Sequence, residues 1–174
     1  CEEPSLSATG VAHEGELSTR LGLAGMPSVS EDLCVMRDIL MAEYLGARIH
    51  LQHISSAGAV RLIAEAKSRG VRVTAEVTPH HLISTDEELE GYPPRAKVNP
   101  PLRSAEHRDA CRRGVADGTL DAIATDHAPH SSLEKDEVTF GIAAFGISGL
   151  ESALPLALEL VRDEVITPSR MVEF

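Results

Sequence analysis

The order of secondary-structure patterns constrains the fold of this chain more than any other feature. Three short apolar runs predict β-strands over residues 48–53, 71–77 and 120–125. Capping boxes, N-cap serines and C-terminal glycines predict helices between and after these strands. The predicted helices run from the Ser28–Glu31 box to Gly46, from Ser55-Ser56 to Gly70, from Ser104 to Gly118, from the Ser148–Glu151 box onward, and from Thr167-Pro168 onward. Strands that alternate with helices are typical of right-handed βαβ units. The sequence therefore predicts an α/β protein with a parallel sheet.

Segments without a clear period connect these elements. We expect loops over residues 1–25, 84–98 and 131–144. The first predicted helix carries apolar residues at helical spacing, namely Leu33, Met36, Leu40 and Tyr44. Cys34 and Cys111 fall within predicted helices and are expected to be buried and unreactive.

Charge and cysteine content exclude several classes of partner. Lys and Arg number 16 against 27 Asp and Glu, a net charge of −11. This argues against nucleic acid and against an anionic membrane surface, both of which attract clustered cations. No apolar run has the roughly 20 residues of a membrane span, and no secretory signal is visible. The three cysteines, an odd and widely spaced set, suit reduced thiols in the cytoplasm.

Histidines and an aspartate follow all three predicted strands. His53 ends the first, His80 and His81 follow the second, and the third runs into Thr125-Asp-His-Ala-Pro-His130. A single histidine or aspartate at a strand end is usually structural. Three such ends on one edge of a parallel sheet, where α/β proteins place their chemistry, predict a functional site.

The residue types at these ends suit a hydrolytic metal centre. Imidazole and carboxylate are common zinc ligands, and a bound metal lowers the pKa of water. We expect His53 to be the imidazole ligand. Asp126 is expected to be both a ligand and the acid/base that moves a proton. The pair His80-His81 is interpreted as structural or as a neighbour of the ligands, slightly in preference to metal-binding.

Two further runs are unusual, and each also has a plain structural interpretation. In Lys97-Val-Asn-Pro-Pro-Leu-Arg103, the prolines hold an extended backbone on which Asn99 can present its amide to a ligand. Composition alone favours a plain loop that leads to the Ser104 cap. The glycines of Phe145-Gly-Ile-Ser-Gly149 let backbone groups approach a ligand, or serve a turn.

These motifs together closely resemble dihydroorotase, the class I type of the amidohydrolase superfamily. The resemblance rests on Thr125–His130 and Asn99–Arg103. Further matches, in the same order along the chain, are Cys1–Pro4, Gln52–Ser56, Glu76–Leu82 and Phe145-Gly146. It implies a (β/α)₈ TIM barrel with two zinc ions. The reaction it implies is the reversible conversion of N-carbamoyl-L-aspartate to L-dihydroorotate in pyrimidine biosynthesis.

Roles follow from the resemblance residue by residue. His53 matches the metal ligand that ends the sixth barrel strand, and Asp126 matches the ligand and catalytic acid/base that ends the eighth. Asn99 and His130 match positions that contact substrate. Phe145 and Gly146 match a segment whose backbone touches it.

The resemblance also implies that part of the barrel lies outside these residues. The family's His-x-His pair and its carboxylate or carboxylated lysine are absent, and a further histidine ligand belongs just before Cys1. Residues 1–174 are therefore expected to be the C-terminal part of one barrel domain, roughly strands six to eight, without the N-terminal half and the small flanking β domain. Such a piece is expected to expose sheet edges and an apolar inner face, and to be inactive alone.

Two alternatives to dihydroorotase remain open. Allantoinase and dihydropyrimidinase share the barrel and the metal centre but act on other cyclic amides. A non-catalytic dihydroorotase-like subunit that scaffolds aspartate transcarbamoylase is the second alternative. The resemblance also implies a homo-oligomer and permits aspartate transcarbamoylase as a partner.

Overall fold

The computed structural model describes residues 2–174, so that Cys1 lies outside the described residues. The strands are β1 (Ala12–His13), β2 (Gly25–Met26), β3 (Ile49–Leu51), β4 (Val73–Val77) and β5 (Ala122–Ile123). The helices are α1 (Pro4–Ser7), α2 (Glu16–Leu21), α3 (Val29–Leu45), α4 (Ala57–Ser68), α5 (Pro79–Ile83), α6 (Ala105–Asp117), α7 (Ser132–Lys135), α8 (Ala153–Arg162) and α9 (Pro168–Glu173). Short 3₁₀ turns occupy Asp86–Leu89 and Pro94–Ala96.

The main sheet contains the three predicted strands, in the order β3-β4-β5, and all of its pairings are parallel. Ile49 lies opposite Val73, and Glu76 lies opposite Ala122. Helices connect successive strands, as a parallel sheet requires. The prediction of an α/β fold with a parallel sheet is confirmed.

The two faces of this sheet differ in polarity. Alternate residues of β3 and β4, from Ile49 to Val77, pack with α3, α4 and α6 in the main hydrophobic core. The opposite face carries His50, Thr74 and Glu76, which are bonded to one another. The predicted apolar inner face is therefore wrong for β3 and β4. Polar residues line it because the period of two along a strand places them opposite the helix-covered side.

Residues 1–25 are not the predicted loop. Within the described part, α1, β1, α2 and β2 form a small unit in which β1 and β2 pair in parallel, Ala12 opposite Gly25. Strands of two residues are too short to show a period in the sequence. The other predicted loops also contain short structure: two 3₁₀ turns before Lys97, and α7 after Ser131.

Both predicted capping boxes are wrong. Ser28 makes no side-chain cap, and the buried Glu31 instead accepts from the amides of Ser55 and Ser56, at 2.9 Å each. The last long helix begins at Ala153 rather than directly after residues 148–151. A capping box is found before α7, where Ser131 donates to Glu134.

The remaining helix signals are confirmed except at Ser104, which precedes α6 but makes no side-chain cap. Ser56 caps α4 by accepting from Ala59, and Thr167 caps α9 by accepting from Arg170. Gly46 and Gly118 end α3 and α6 in the left-handed conformation. Cys34 and Cys111 are buried free thiols, as expected. Across residues 2–174, no helix combines the length and the apolar character needed to cross a membrane.

Candidate active site at the carboxyl ends of the strands

His53 and Asp126 meet at the carboxyl edge of the main sheet. His53 lies two residues beyond β3 and Asp126 three residues beyond β5, and His53 Nε2 is 3.7 Å from Asp126 Oδ1. Both side chains are 28% exposed, so that solvent and small molecules reach them. The structure therefore brings together the two residues that the sequence predicts as metal ligands.

The backbone at both positions is unusual. His53 has φ of 57° and Asp126 has φ of 45°, in the left-handed region that residues with a Cβ avoid. Only Tyr92 and Glu164 share this property among the non-glycine residues in the described part of the chain. Backbone strain of this kind clusters at functional sites. Because His53 and Asp126 both have this backbone conformation, the backbone alone indicates a functional site at the carboxyl edge of the main sheet, without reference to any sequence motif.

Glu76 joins the pair from the polar face of the sheet. Its Oε1 lies 3.0 Å from His53 Nδ1, and its Oε2 lies 3.0 Å from His50 Nε2. The first contact is not well directed, since the buried Nδ1 of His53 has no hydrogen bond of good geometry. A carboxylate beside Nδ1 favours the tautomer with its proton on that atom, which leaves Nε2 free to face Asp126. The position of Glu76 within the Glu76–Leu82 motif does not by itself predict this role.

The adjacent histidines of α5 have different environments. The His81 ring is bonded to the Thr78 hydroxyl (2.7 Å) and to the Pro100 carbonyl (3.0 Å), which makes it structural. His80 is also buried, but its Nε2 has no hydrogen-bond partner. Burial lowers the pKa of His80 to about 3, and the charges of Asp126 and His53 also act on it. His80 is therefore a neutral imidazole close to the pair.

A cluster of loops holds the four residues predicted to contact substrate. The Gly146 amide donates to the Lys97 carbonyl (3.0 Å), and the Ala128 amide donates to the Ile147 carbonyl (3.0 Å). His130 Nε2 donates to the Phe145 carbonyl at 2.7 Å. Three segments that are far apart in the chain, 97–99, 126–130 and 145–147, are thereby fastened together.

The predicted substrate residues differ in their exposure and in the polar groups that the protein itself already uses. Asn99 and His130 are exposed, and the Asn99 side chain lies beside the Glu2 carboxylate. The ring of Phe145 lies 4.6 Å from Lys97 Nζ. The Gly146 amide already donates to Lys97, so a ligand must use other backbone groups of this segment.

Gly146 is required by its surroundings. Its φ is 137°, and a Cβ at this position would lie 2.7 Å from the Ala128 carbonyl oxygen. Such a contact is shorter than side-chain carbons tolerate. The glycine of the Phe145-Gly146 motif is therefore needed for the close approach of two loops.

A buried ion pair anchors the loop that carries Asn99. Arg103 is 2% exposed, and its guanidinium lies 3.3 Å from Glu31 and donates to the Ser55 hydroxyl (3.1 Å) and to the Met26 carbonyl (3.1 Å). Composition favoured a plain loop over residues 97–103, whereas the structure shows a loop fixed at its end. Because Glu31 also binds Ser55 and Ser56, this pair fixes the segment that follows His53.

The fold and this site define part of a (β/α)₈ barrel of the metal-dependent hydrolase type. The chain aligns with solved structures of that kind over 86% of its length and 34% of theirs. A dihydropyrimidinase from Brevibacillus agri has a TM-score of 0.80 at 27% identity, and an L-hydantoinase from Arthrobacter aurescens has 0.80 at 31%. The barrel prediction is confirmed.

Sequence comparison gives the family. A family model described as Dihydro-orotase-like matches residues 1–59. Dihydroorotases from Syntrophobacter fumaroxidans and from an Anaeromyxobacter strain are 57% and 58% identical to the chain over 98% and 99% of its length. The chain is therefore similar over almost its whole length to one part of the dihydroorotases. It spans about 40% of the length of these curated relatives.

Similarity to this family implies a bound metal ion, and the side chains of the described residues supply some of the ligands that such an ion needs. Two ligands of a tetrahedral ion at about 2.1 Å stand about 3.4 Å apart, close to the 3.7 Å between His53 Nε2 and Asp126 Oδ1. Within residues 2–174, no group of three or more His, Cys, Asp or Glu side chains is arranged to hold a metal. The described residues therefore supply two donors and not a complete set.

Proposed function

We propose that the whole protein is a zinc-dependent dihydroorotase that interconverts N-carbamoyl-L-aspartate and L-dihydroorotate in pyrimidine biosynthesis, in the cytoplasm. The observation that carries this proposal is the His53–Asp126 pair at the carboxyl edge, 3.7 Å apart. The identity of 57–58% with curated dihydroorotases supports the choice of reaction. We further propose that residues 1–174 are the C-terminal part of one barrel domain and are inactive alone.

His53 Nε2 and Asp126 Oδ1 are the atoms that would hold the zinc, with further ligands from outside these residues. The chemistry that the metal supplies when bound is a lowered pKa for water and a polarised carbonyl. Glu76 keeps the proton of His53 on Nδ1, so that Nε2 presents its lone pair to the site.

Asp126 moves the proton in this proposal. Its carboxylate accepts a proton from the attacking water and then donates that proton to the amide nitrogen that leaves when the ring opens. Ring closure uses the same steps in reverse. The exposed position of Asp126 lets it face both water and the ring.

The loop cluster orients the acidic substrate. Asn99 offers amide groups and His130 offers its Nδ1, because its Nε2 is held by the Phe145 carbonyl. The segment of Phe145 and Gly146 contributes backbone groups. Lys97 Nζ stands beside the Phe145 ring and adds positive charge near this cluster in a chain of net charge −11.

Two other functions fit the same fold. A dihydropyrimidinase or hydantoinase activity matches the names of the structural neighbours, but these are only 27% and 31% identical. A non-catalytic subunit that scaffolds aspartate transcarbamoylase has no need of His53 and Asp126 in a strained backbone, and their presence favours the enzyme.

The test compares substrates and one variant in the full-length, metal-loaded protein. We expect hydrolysis of dihydroorotate to be faster than that of hydantoin or dihydrouracil. Asp126→Asn should lower turnover by at least about 10²–10⁴-fold, the usual contribution of a general acid/base. Asp109→Asn, at an exposed site on α6, is the matched control. A preference for hydantoin, or near-normal turnover of Asp126→Asn, would contradict the proposal.

A further inference from the structure

Two lysines of the loop cluster are buried among backbone carbonyl groups. Lys97 is 3% exposed and Lys135, at the end of α7, is 6% exposed. Lys135 Nζ donates to the carbonyls of Lys97 and Ala144, at 2.7 Å each. Lys97 Nζ donates to the Gly141 carbonyl at 2.8 Å. Both ammonium groups therefore bind main-chain oxygens of the cluster that holds the predicted substrate residues.

Neither ammonium group has a carboxylate as its partner. Of the three lysines in the chain, Lys67 alone forms an ion pair within residues 2–174, with Asp121 at 2.8 Å. Lysines are rarely buried unless they are paired with an opposite charge. Burial and, to a lesser degree, the charge of Lys97 lower the pKa of Lys135 to about 8. Two unpaired buried cations are costly, which indicates that their bonds to the loops matter.

One backbone carbonyl joins the two loops that Lys135 contacts. The Lys97 carbonyl accepts from Lys135 Nζ at 2.7 Å and from the Gly146 amide at 3.0 Å. The Ala144 carbonyl, the other acceptor of Lys135, lies two residues before Gly146. Asn99 lies two residues beyond Lys97. Lys135 therefore fixes the segment before Gly146 relative to the segment before Asn99.

The Lys97 side chain contacts the same segment through two aromatic rings. Its Nζ lies 5.7 Å from the centre of the Phe140 ring and 4.6 Å from that of the Phe145 ring. Aromatic faces attract cations at these distances. Together with the bond to Gly141, these contacts hold residues 140–145 against Lys97.

These contacts lie wholly within the described residues. All of the donors, acceptors and rings belong to residues 97–146, and both lysine side chains are already buried by them. The contacts therefore do not depend on the part of the barrel that lies outside this chain.

We propose that Lys97 and Lys135 are positioning residues for the substrate site. They hold the Phe145-Gly146 segment at a fixed place beside Asn99, and thereby set the affinity for the acidic substrate. This inference rests on the proposed function, since it takes that segment and Asn99 as substrate contacts. Lysine suits the task because one ammonium group donates up to three hydrogen bonds and can serve the carbonyl groups of two loops at once.

Steady-state kinetics of the full-length, metal-loaded protein test the effect on substrate. Lys135→Met keeps the length of the side chain but removes its donors, so that the substrate contacts lose their fixed place while the metal ligands keep theirs. We expect the KM for dihydroorotate to rise about tenfold, with kcat within about threefold of wild type, as for a loss of uniform binding. Metal content should not change.

Two further comparisons separate positioning from a general loss of structure. Lys97→Met should have the same effect, and the double variant should raise KM by no more than about threefold beyond the larger single effect, because both lysines hold one segment. Lys135→Arg returns the donors and the charge, and should restore KM to within about threefold of wild type. Circular dichroism verifies folding, and Lys97→Gln, a milder change, should raise KM in the same direction.

Lys67→Met is the matched control. Lys67 also donates to a backbone carbonyl, that of Gly118 at 3.1 Å, and its partner Asp121 directly precedes β5, at the opposite end of the strand from the site. Its loss should lower the free energy of unfolding, yet it should leave KM within about twofold of wild type.

Hydrogen exchange with mass spectrometry tests the positioning without any substrate. In Lys135→Met, a peptide that covers residues 139–147 should exchange at least about tenfold faster than in the wild type, whereas Lys67→Met should leave it unchanged. Hydrolysis of dihydroorotate by the wild type tests the proposed function, so that its failure is distinguishable from a failure of the positioning. Unchanged exchange of this peptide in Lys97→Met and Lys135→Met, or faster exchange with an unchanged KM, would overturn the proposal.

Discussion

Replacement of Glu76 tests how the polar face of the sheet controls the metal ligand. Glu76 contacts both His53 Nδ1 and His50 Nε2 at 3.0 Å. In Glu76→Gln, the amide oxygen can still face His53 while the amide NH₂ faces His50 Nε2, and the His50 ring can then carry its proton on Nδ1, toward the Thr74 hydroxyl oxygen. Only the negative charge is lost, so we expect metal affinity to fall about tenfold, the lower end for a residue behind a ligand.

Glu76→Ala removes the acceptor as well as the charge. His53 then has no neighbouring carboxylate that favours a proton on Nδ1. The tautomer whose Nε2 lone pair can bind the metal is therefore less populated. We expect metal affinity to fall about 100-fold, or about 2.7 kcal/mol. The fold should persist, because Glu76 lies on the face of β4 that the helices do not cover.

Competition with a chromophoric chelator measures this affinity in the full-length protein, and unfolding curves verify stability. Thr74→Val is the matched control, because it removes a hydrogen bond to His50 on the same face without touching His53. Metal affinity of Glu76→Ala within twofold of wild type would refute the role given to this carboxylate.

Three further results are expected. Asn99→Ala and His130→Ala should raise the KM for dihydroorotate while leaving metal content unchanged; loss of metal in either variant would identify that residue as a ligand instead. Arg103→Met leaves the Glu31 carboxylate buried without its cation. Urea titrations should therefore show a free energy of unfolding that is lower by about 3–5 kcal/mol. A decrease below about 1 kcal/mol would show that this ion pair is dispensable for stability. Burial holds the pKa of His81 at about 4, below its ordinary value, so the unfolded chain binds a proton at this residue first as the pH falls. His81 alone should therefore lower the free energy of unfolding by up to about 3 kcal/mol between pH 6.5 and 4, and the decline in His81→Gln should be smaller than in the wild type by this amount. A flat wild-type profile there, or an equal decline in His81→Gln, would contradict this assignment.

The main sheet could be predicted because its strands carry local signals. Val73, Ala75 and Val77 alternate with Thr74 and Glu76, and the period of two marks both the strand and its two faces. The strands of the small unit, Ala12–His13 and Gly25–Met26, have only two residues each. Their pairing depends on contacts between distant segments, which no local pattern records.

The candidate site likewise contains some residues that local sequence patterns predict and others that they do not. His53 and Asp126 are predictable because they follow strands, and strand ends of a parallel sheet meet at one edge. Glu76 shows a weaker signal, a carboxylate within a strand, which enters the family motif Glu76–Leu82 without a role of its own. The capping-box interpretation of Glu31 was wrong because no local pattern records its distant partners. The buried carboxylate pairs with Arg103 and accepts from the backbone amides of Ser55 and Ser56 and the Ser55 hydroxyl, and not from the helix start.

Helix α3 connects the candidate site to the core through Glu31 on its inner face. On its inner face, Glu31 accepts from the amides of Ser55 and Ser56 and pairs with Arg103. It thereby fixes the segment that follows His53 and the loop that carries Asn99. Any displacement of α3 moves Glu31, and both site loops move with it.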